Sequence, residues 1–125
     1  MINEISKQIH ENNKSKGFYD SEKNIGEMLC LIHSEVSEAL EADRKERYTT
    51  IHINKIRSLV NDDHDLDFFK SEFSENIKDT FEDELADIMI RVMDLAYFKG
   101  IDLESHIKAK MRYNSLRPHK HGKLY

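Results

Sequence analysis

Apolar residues recur along this chain at intervals of three and four, and no stretch alternates apolar with polar residues convincingly. The pattern therefore predicts helices and no strands, an all-α bundle. A first helix covers Ile2 to about Ser15, and Lys16, Gly17 and Phe18 turn the chain. Asp20 or Ser21 caps a long second helix running to about Arg47. The segment from Tyr48 to Thr80 is the least regular. Ile53, Ile56, Leu59 and Val60 predict a short amphipathic helix, Asn61 to Asp67 a loop, and Phe68, Phe69 and Phe73 another short helix. Asp79 or Thr80 caps the next long helix, Phe81 to Lys99, which Gly100 stops as a C′ residue. Asp102 caps a last helix to about Leu116, before Pro118. With no repeat, low-complexity tract or linker, residues 1–125 read as a single domain.

The polar residues that interrupt the apolar stripes matter more than the stripes. At about 100° per residue, Leu29, Ile32, Val36, Ala39 and Leu40 form one stripe, which Met28, Leu31 and Ala42 widen. Glu35 falls inside that arc, and Glu38 sits at its edge. On the later helix Leu85, Ile88, Val92, Leu95 and Ala96 make the stripe; Glu84 borders it and Asp87 follows beyond. Residues three apart on a helix share a face, with Cβ atoms roughly 5–6 Å apart. Each pair can therefore aim two carboxylates at one spot. Two such helices packed together offer four hard oxygen donors, the ligand set of magnesium. A carboxylate in an apolar arc needs a partner or a metal, because burying it alone costs too much.

Composition narrows the classes. An apolar fraction of 38% against 34% charged residues suits thin core stripes, or an oligomer whose partners complete the core. The single cysteine, Cys30, excludes an internal disulfide and, among apolar neighbours, reads as a buried, inert thiol. There is no apolar run of membrane-spanning length and no signal-peptide core near the first residues, so no membrane partner and a cytoplasmic location are expected. The net charge of −5 argues against a nucleic-acid surface. It is uneven, however: from Ser105 to Tyr125 there is no acid, and Lys110, Asn114 and Arg117 share one helical face there. Lys and Arg supply charge to phosphate oxygens, and Asn an amide to a sugar or phosphate.

Other chemistries fail on spacing. Asp63, Asp65 and Asp67 imitate an EF-hand loop, but Phe68 stands where glycine is needed and Ser74 where glutamate is needed. None of the seven histidines follows an acid by three residues, which excludes a di-iron bundle. Neither a zinc signature nor a Walker loop is present.

Glu35-x-x-Glu38, then Glu84-x-x-Asp87, then Lys110-x-x-x-Asn114-x-x-Arg117 resembles the MazG-type, all-α nucleoside triphosphate pyrophosphohydrolases. The resemblance covers roughly residues 26–47 and 81–118. It implies a four-helix-bundle-like core with a partly helical insertion between the two acidic helices, and a homodimer or homotetramer. It also implies Mg2+, for which Mn2+ can substitute, held by Glu35, Glu38, Glu84 and Asp87, with Lys110, Asn114 and Arg117 on the nucleotide. The implied reaction cleaves a (deoxy)nucleoside triphosphate to monophosphate and pyrophosphate; of the four carboxylates, Glu38 is the one we expect to take the proton of the attacking water. The chain departs from the family in two ways. Ser34 stands where many members carry a further glutamate, whose task would pass to Glu41 or Glu82, and the insertion is long. Phe18 and Tyr19 offer either a stacking surface for a base or core packing. Two competing readings are a non-enzymatic acidic helical interaction protein and a hydrolase of other nucleotide diphosphate linkages.

Overall fold

A computed structural model describes residues 1–61, 63 and 65–125. Among them the chain is all-α, with helices α1 (Ile2–Ser15), α2 (Ile25–Arg44), α3 (Ile53–Leu59), α4 (Leu66–Asn76), α5 (Phe81–Phe98) and α6 (Leu103–Ser115), then a 3-10 turn at His119–Gly122. No helix among the described residues is long and apolar enough to cross a membrane. Contacts group the chain into two compact units, Ile25–Met89 and Met1–Asn24 with Ile90–Tyr125.

Local chemistry sets most helix limits. Thr80 Oγ1 accepts from the Asp83 N–H at 3.3 Å, and Asp83 Oδ2 accepts from the Asp79 N–H at 2.9 Å. These two bonds satisfy two backbone donors where α5 begins, although Asp83 reaches back to Asp79 and not to Thr80, whose N–H donates to the Ile77 carbonyl. Gly100, at φ +67°, ends that helix in the left-handed conformation that glycine adopts without strain. Asp102 accepts from the Ser105 N–H at 3.0 Å and starts α6. The acidic run after Asn61 has a structural use: Asp65 caps α4 by accepting from the Asp67 N–H at 2.9 Å. The expected Asn61–Asp67 loop includes Asp62 and His64, which lie outside the described residues.

Two expectations are corrected. Helix α2 begins at Ile25, not after an Asp20 or Ser21 cap, and ends at Arg44 rather than Arg47. The Asp20 N–H closes a turn on the Gly17 carbonyl at 3.2 Å, and the neighbouring Tyr19 hydroxyl is bonded to Asp94 at 2.8 Å. That long-range bond holds the segment outside any helix. Cys30 is exposed, not buried. The covered side of α2 carries Glu35, Ala39 and Ala42, whereas Leu29, Val36 and Leu40 are each 47–49% exposed.

In the unit of Met1–Asn24 and Ile90–Tyr125, α1 packs against α6. The terminal ammonium of Met1 and the Ile2 N–H both donate to Glu104, at 2.9 and 3.1 Å, and Asn3 donates to Asp102 at 2.7 Å. The Asn3 amide and the bonds from Ser105 hold the Asp102 carboxyl down at about 2. At the centre of the unit Asp94 is buried. It accepts from Asn13 at 3.1 Å and Tyr19 at 2.8 Å, and pairs with His10 Nδ1 at 2.9 Å. The His10 ring lies against Tyr19, Tyr97 and Phe98.

Candidate metal centre

Glu35 lies mid-way along α2 and Glu84 in the first turn of α5, and the short alanines Ala39 and Ala42 share the covered side of α2 with Glu35. The result is two buried glutamates, Glu35 at 6% and Glu84 at 7% exposure. Glu38, one turn on from Glu35, is exposed. One carboxylate oxygen from each of Glu35, Glu38 and Glu84 lies within 4.8 Å of the other two. Three hard oxygens at that separation can converge on one divalent cation.

The electrostatics agree with the geometry. Burial first, and then the negative charges of Glu38, Asp87, Glu35 and Asp83, hold the Glu84 carboxyl above its ordinary value. Like charges gathered in a half-dry site oppose each other's ionisation, and a cation removes that opposition. The residues present therefore fit a divalent metal.

Each residue singled out in the sequence has a defined place. Glu35, Glu38 and Glu84 form the cluster, and the charge of Asp87, half-buried one turn further along α5, is felt at Glu84. Lys110, Asn114 and Arg117 lie at the end of α6 or just beyond it, in the other compact unit. There the Lys110 ammonium and the Arg117 guanidinium stand 5.1 and 5.8 Å from the Tyr113 ring. Arg117 also donates to the His121 carbonyl at 3.2 Å. Asn114 Oδ1 is buried and accepts no hydrogen bond among the described residues. An amide oxygen shielded from water without a donor is costly unless a ligand or water supplies one. No signal in the sequence marks Tyr113 as part of this group beyond its position between Lys110 and Arg117.

The residues considered as replacements for the acid missing at Ser34 are already engaged. Ser34 Oγ donates to the Leu31 carbonyl at 2.7 Å. Glu41 pairs with Lys45 at 3.0 Å, which lowers its pKa, and Glu82 accepts from the Thr49 N–H at 3.0 Å. Phe18 and Tyr19 part company. Tyr19 packs on His10 and Phe98, and burial, with Asp94 beside it, raises its phenol well above the ordinary value. Phe18 is 60% exposed. No family model, curated protein or solved structure matches this chain.

Proposed function

We propose that the chain is a magnesium-dependent nucleoside triphosphate pyrophosphohydrolase of the MazG type, built on a four-helix-bundle-like core. The observation that carries this reading is the three-carboxylate cluster, with two of its members buried. Lys110 and Asn114 on α6, with Arg117 just beyond its end, support it. Magnesium, when bound, supplies neutralising charge for a triphosphate and lowers the pKa of a water to near neutral. Glu35, Glu84 and Asp87 hold position and charge. Glu38, the exposed member, faces water and takes the proton of the nucleophile. Attack at the α-phosphorus yields monophosphate and pyrophosphate. Lys110 and Arg117 stabilise charge on the phosphates, and the unpartnered Asn114 Oδ1 accepts from a sugar hydroxyl. The apolar side chains left exposed on α2, together with Leu85 and Met89 on α5, favour a homo-oligomer.

Product analysis tests the reaction. With a panel of nucleoside triphosphates and Mg2+ in heavy-oxygen water, the expected products are labelled monophosphate and unlabelled pyrophosphate. Release of inorganic phosphate and a diphosphate would place the attack at the γ-phosphorus and refute the proposal. No metal-dependent cleavage of any substrate would favour the interaction-protein reading.

The α6 face has its own test. Charge-assisted contacts of the Arg–phosphate kind are worth about 1.5–3 kcal/mol, so Arg117→Ala lowers kcat/KM by roughly 10- to 150-fold. Arg117→Lys recovers only part of this, since a lysine cannot copy the planar fork. Arg112→Ala, an exposed change on the same helix, leaves kcat/KM within about twofold. Equal losses in the Arg117 and Arg112 variants would remove Arg117 from the nucleotide.

A further inference from the structure

Lys110 and Arg117 share a third side chain. Tyr113 lies three residues after the first and four before the second, the two spacings that put helical neighbours on one face. The Lys110 ammonium stands over its ring at 5.1 Å from the centroid, and the Arg117 guanidinium at 5.8 Å. All three residues belong to the unit of Met1–Asn24 and Ile90–Tyr125. At such distances the negative face of an aromatic ring attracts both cations.

The ring fills a place that a carboxylate usually takes. From Ser105 to Tyr125 the sequence has no acid, so no neighbour on this stretch can form an ion pair with either cation. Glu104, the nearest acid before it, accepts from the Met1 ammonium and the Ile2 N–H. A carboxylate would also cancel the charge it held. An aromatic face restrains a cation and leaves its charge available to an incoming anion. Arg117 has a second restraint, its bond to the His121 carbonyl at 3.2 Å, which uses one of its five N–H donors. Tyr113 itself is 58% exposed, so core packing does not account for it.

We propose that Tyr113 is a positioning residue for phosphate binding: its ring holds Lys110 and Arg117 around one point, both still charged, before a chain of linked phosphates arrives. This role rests on the reading that the two cations meet the substrate's phosphates, and it adds the residue that orders them. Because both cations surround one ring, a single polyphosphate can meet both. Long basic side chains lose much rotamer freedom when they are fixed, and ordering them in advance removes part of that cost from binding. Tyr113 acts through the cations, so its ring face matters and its hydroxyl does not.

Nuclear magnetic resonance of the full chain tests this, with inorganic tripolyphosphate as the probe and EDTA present to keep metal out. Tripolyphosphate has no base that could stack on the ring. In the wild type and in Tyr113→Phe, the ring shifts the methylene protons beside the Lys110 ammonium and the Arg117 guanidinium upfield; in Tyr113→Leu that shift is lost while the rest of the spectrum stays folded. Titration on the same samples gives the dissociation constants. Lys110→Met and Arg117→Met each weaken tripolyphosphate at least about tenfold. Tyr113→Leu weakens it about three- to tenfold, and Tyr113→Phe stays within about twofold of the wild type. In a Lys110→Met or Arg117→Met protein, Tyr113→Leu costs less than it does in the wild type, because the ring then has one cation left to hold. No upfield shift at either cation, wild-type binding in Tyr113→Leu, a Tyr113→Phe protein as weak as Tyr113→Leu, or strictly additive double changes would overturn the proposal. Pyrophosphate release with Mg2+ and nucleoside triphosphates, measured on the same variants, keeps the two readings apart. Turnover undiminished in Tyr113→Leu sinks the positioning role alone, and ring-held cations that bind tripolyphosphate in a protein without turnover sink the hydrolase alone.

Discussion

Glu84→Gln is expected to abolish the proposed magnesium-dependent turnover and, in the same molecule, to raise the melting temperature of the metal-free protein. Both effects come from one carboxylate. Gln keeps the shape of Glu but loses the charge a hard cation requires, so kcat falls at least about 1,000-fold, on the order of 4 kcal/mol of lost transition-state stabilisation. Without metal, the Glu84 charge is opposed by burial and by Glu38, Asp87, Glu35 and Asp83, and removing it relieves that opposition. Glu35→Gln, at the other buried acid, gives the same loss of turnover.

The pH dependence of the Glu84 contribution to stability, read as the difference between wild type and Glu84→Gln, has the sign that follows. The Glu84 pKa is raised in the folded state, so the folded protein holds more protons than the unfolded one between the ordinary and the raised value. In chelator this contribution is therefore fully present below the ordinary glutamate range and falls as pH rises through the raised pKa. Magnesium competes with the proton and offsets the loss above that window. At 100 times its dissociation constant it adds about 2.7 kcal/mol. Differential scanning fluorimetry in EDTA and in Mg2+, across pH 4 to 8, reads all of this. A Glu84→Gln protein with full turnover would remove the cluster from the reaction, and metal-free wild-type and Glu84→Gln stabilities that run parallel through that window would remove the opposition at Glu84.

Asp94→Ala costs about 3–5 kcal/mol of folding stability, a large part of the 5–15 kcal/mol typical of a domain. Asp94 is 8% exposed and serves His10, Asn13 and Tyr19, so truncation strands all three polar groups in a place with little water. Asp94→Asn is nearly as harmful, because its amide adds a donor where donors already point. Tyr19→Phe, which removes one donor and leaves the carboxylate two partners, costs about 1 kcal/mol. Urea midpoints at constant m-value measure these differences. The Tyr19 phenol adds a spectroscopic reading. Burial is the larger cause of its raised pKa and the Asp94 hydrogen bond the next, so in Asp94→Asn it ionises at lower pH than in the wild type, still above an exposed tyrosine. A loss below about 1 kcal/mol in Asp94→Ala would show that this network does not hold α1 to the second half of α5.

Sequence by itself determined the features that depend only on neighbouring residues. The Thr80–Asp83 pair, Gly100 and Asp102 mark helix limits through hydrogen bonds and φ preferences that act within one turn. The i, i+3 spacing of Glu35 with Glu38 was readable for the same reason, as was the inward bias of Glu35. Tertiary structure decided whatever depends on residues distant in the chain. The start of α2 was misread because Tyr19 is held by Asp94, 75 positions later, and no local signal announces that bond. Asp94 reads in the sequence as one more acid on a helix, and it becomes the hub of its unit only when α1 brings His10 and Asn13 to it. Hydrophobic periodicity found the apolar arc of α2 but not which half of it is covered, which is why Cys30 proved exposed and Leu29, Val36 and Leu40 remain open. An apolar cleft between α3, α4 and the start of α5 belongs wholly to this second class, because a concave surface comes from the packing of several short elements, and no single stretch of sequence contains it.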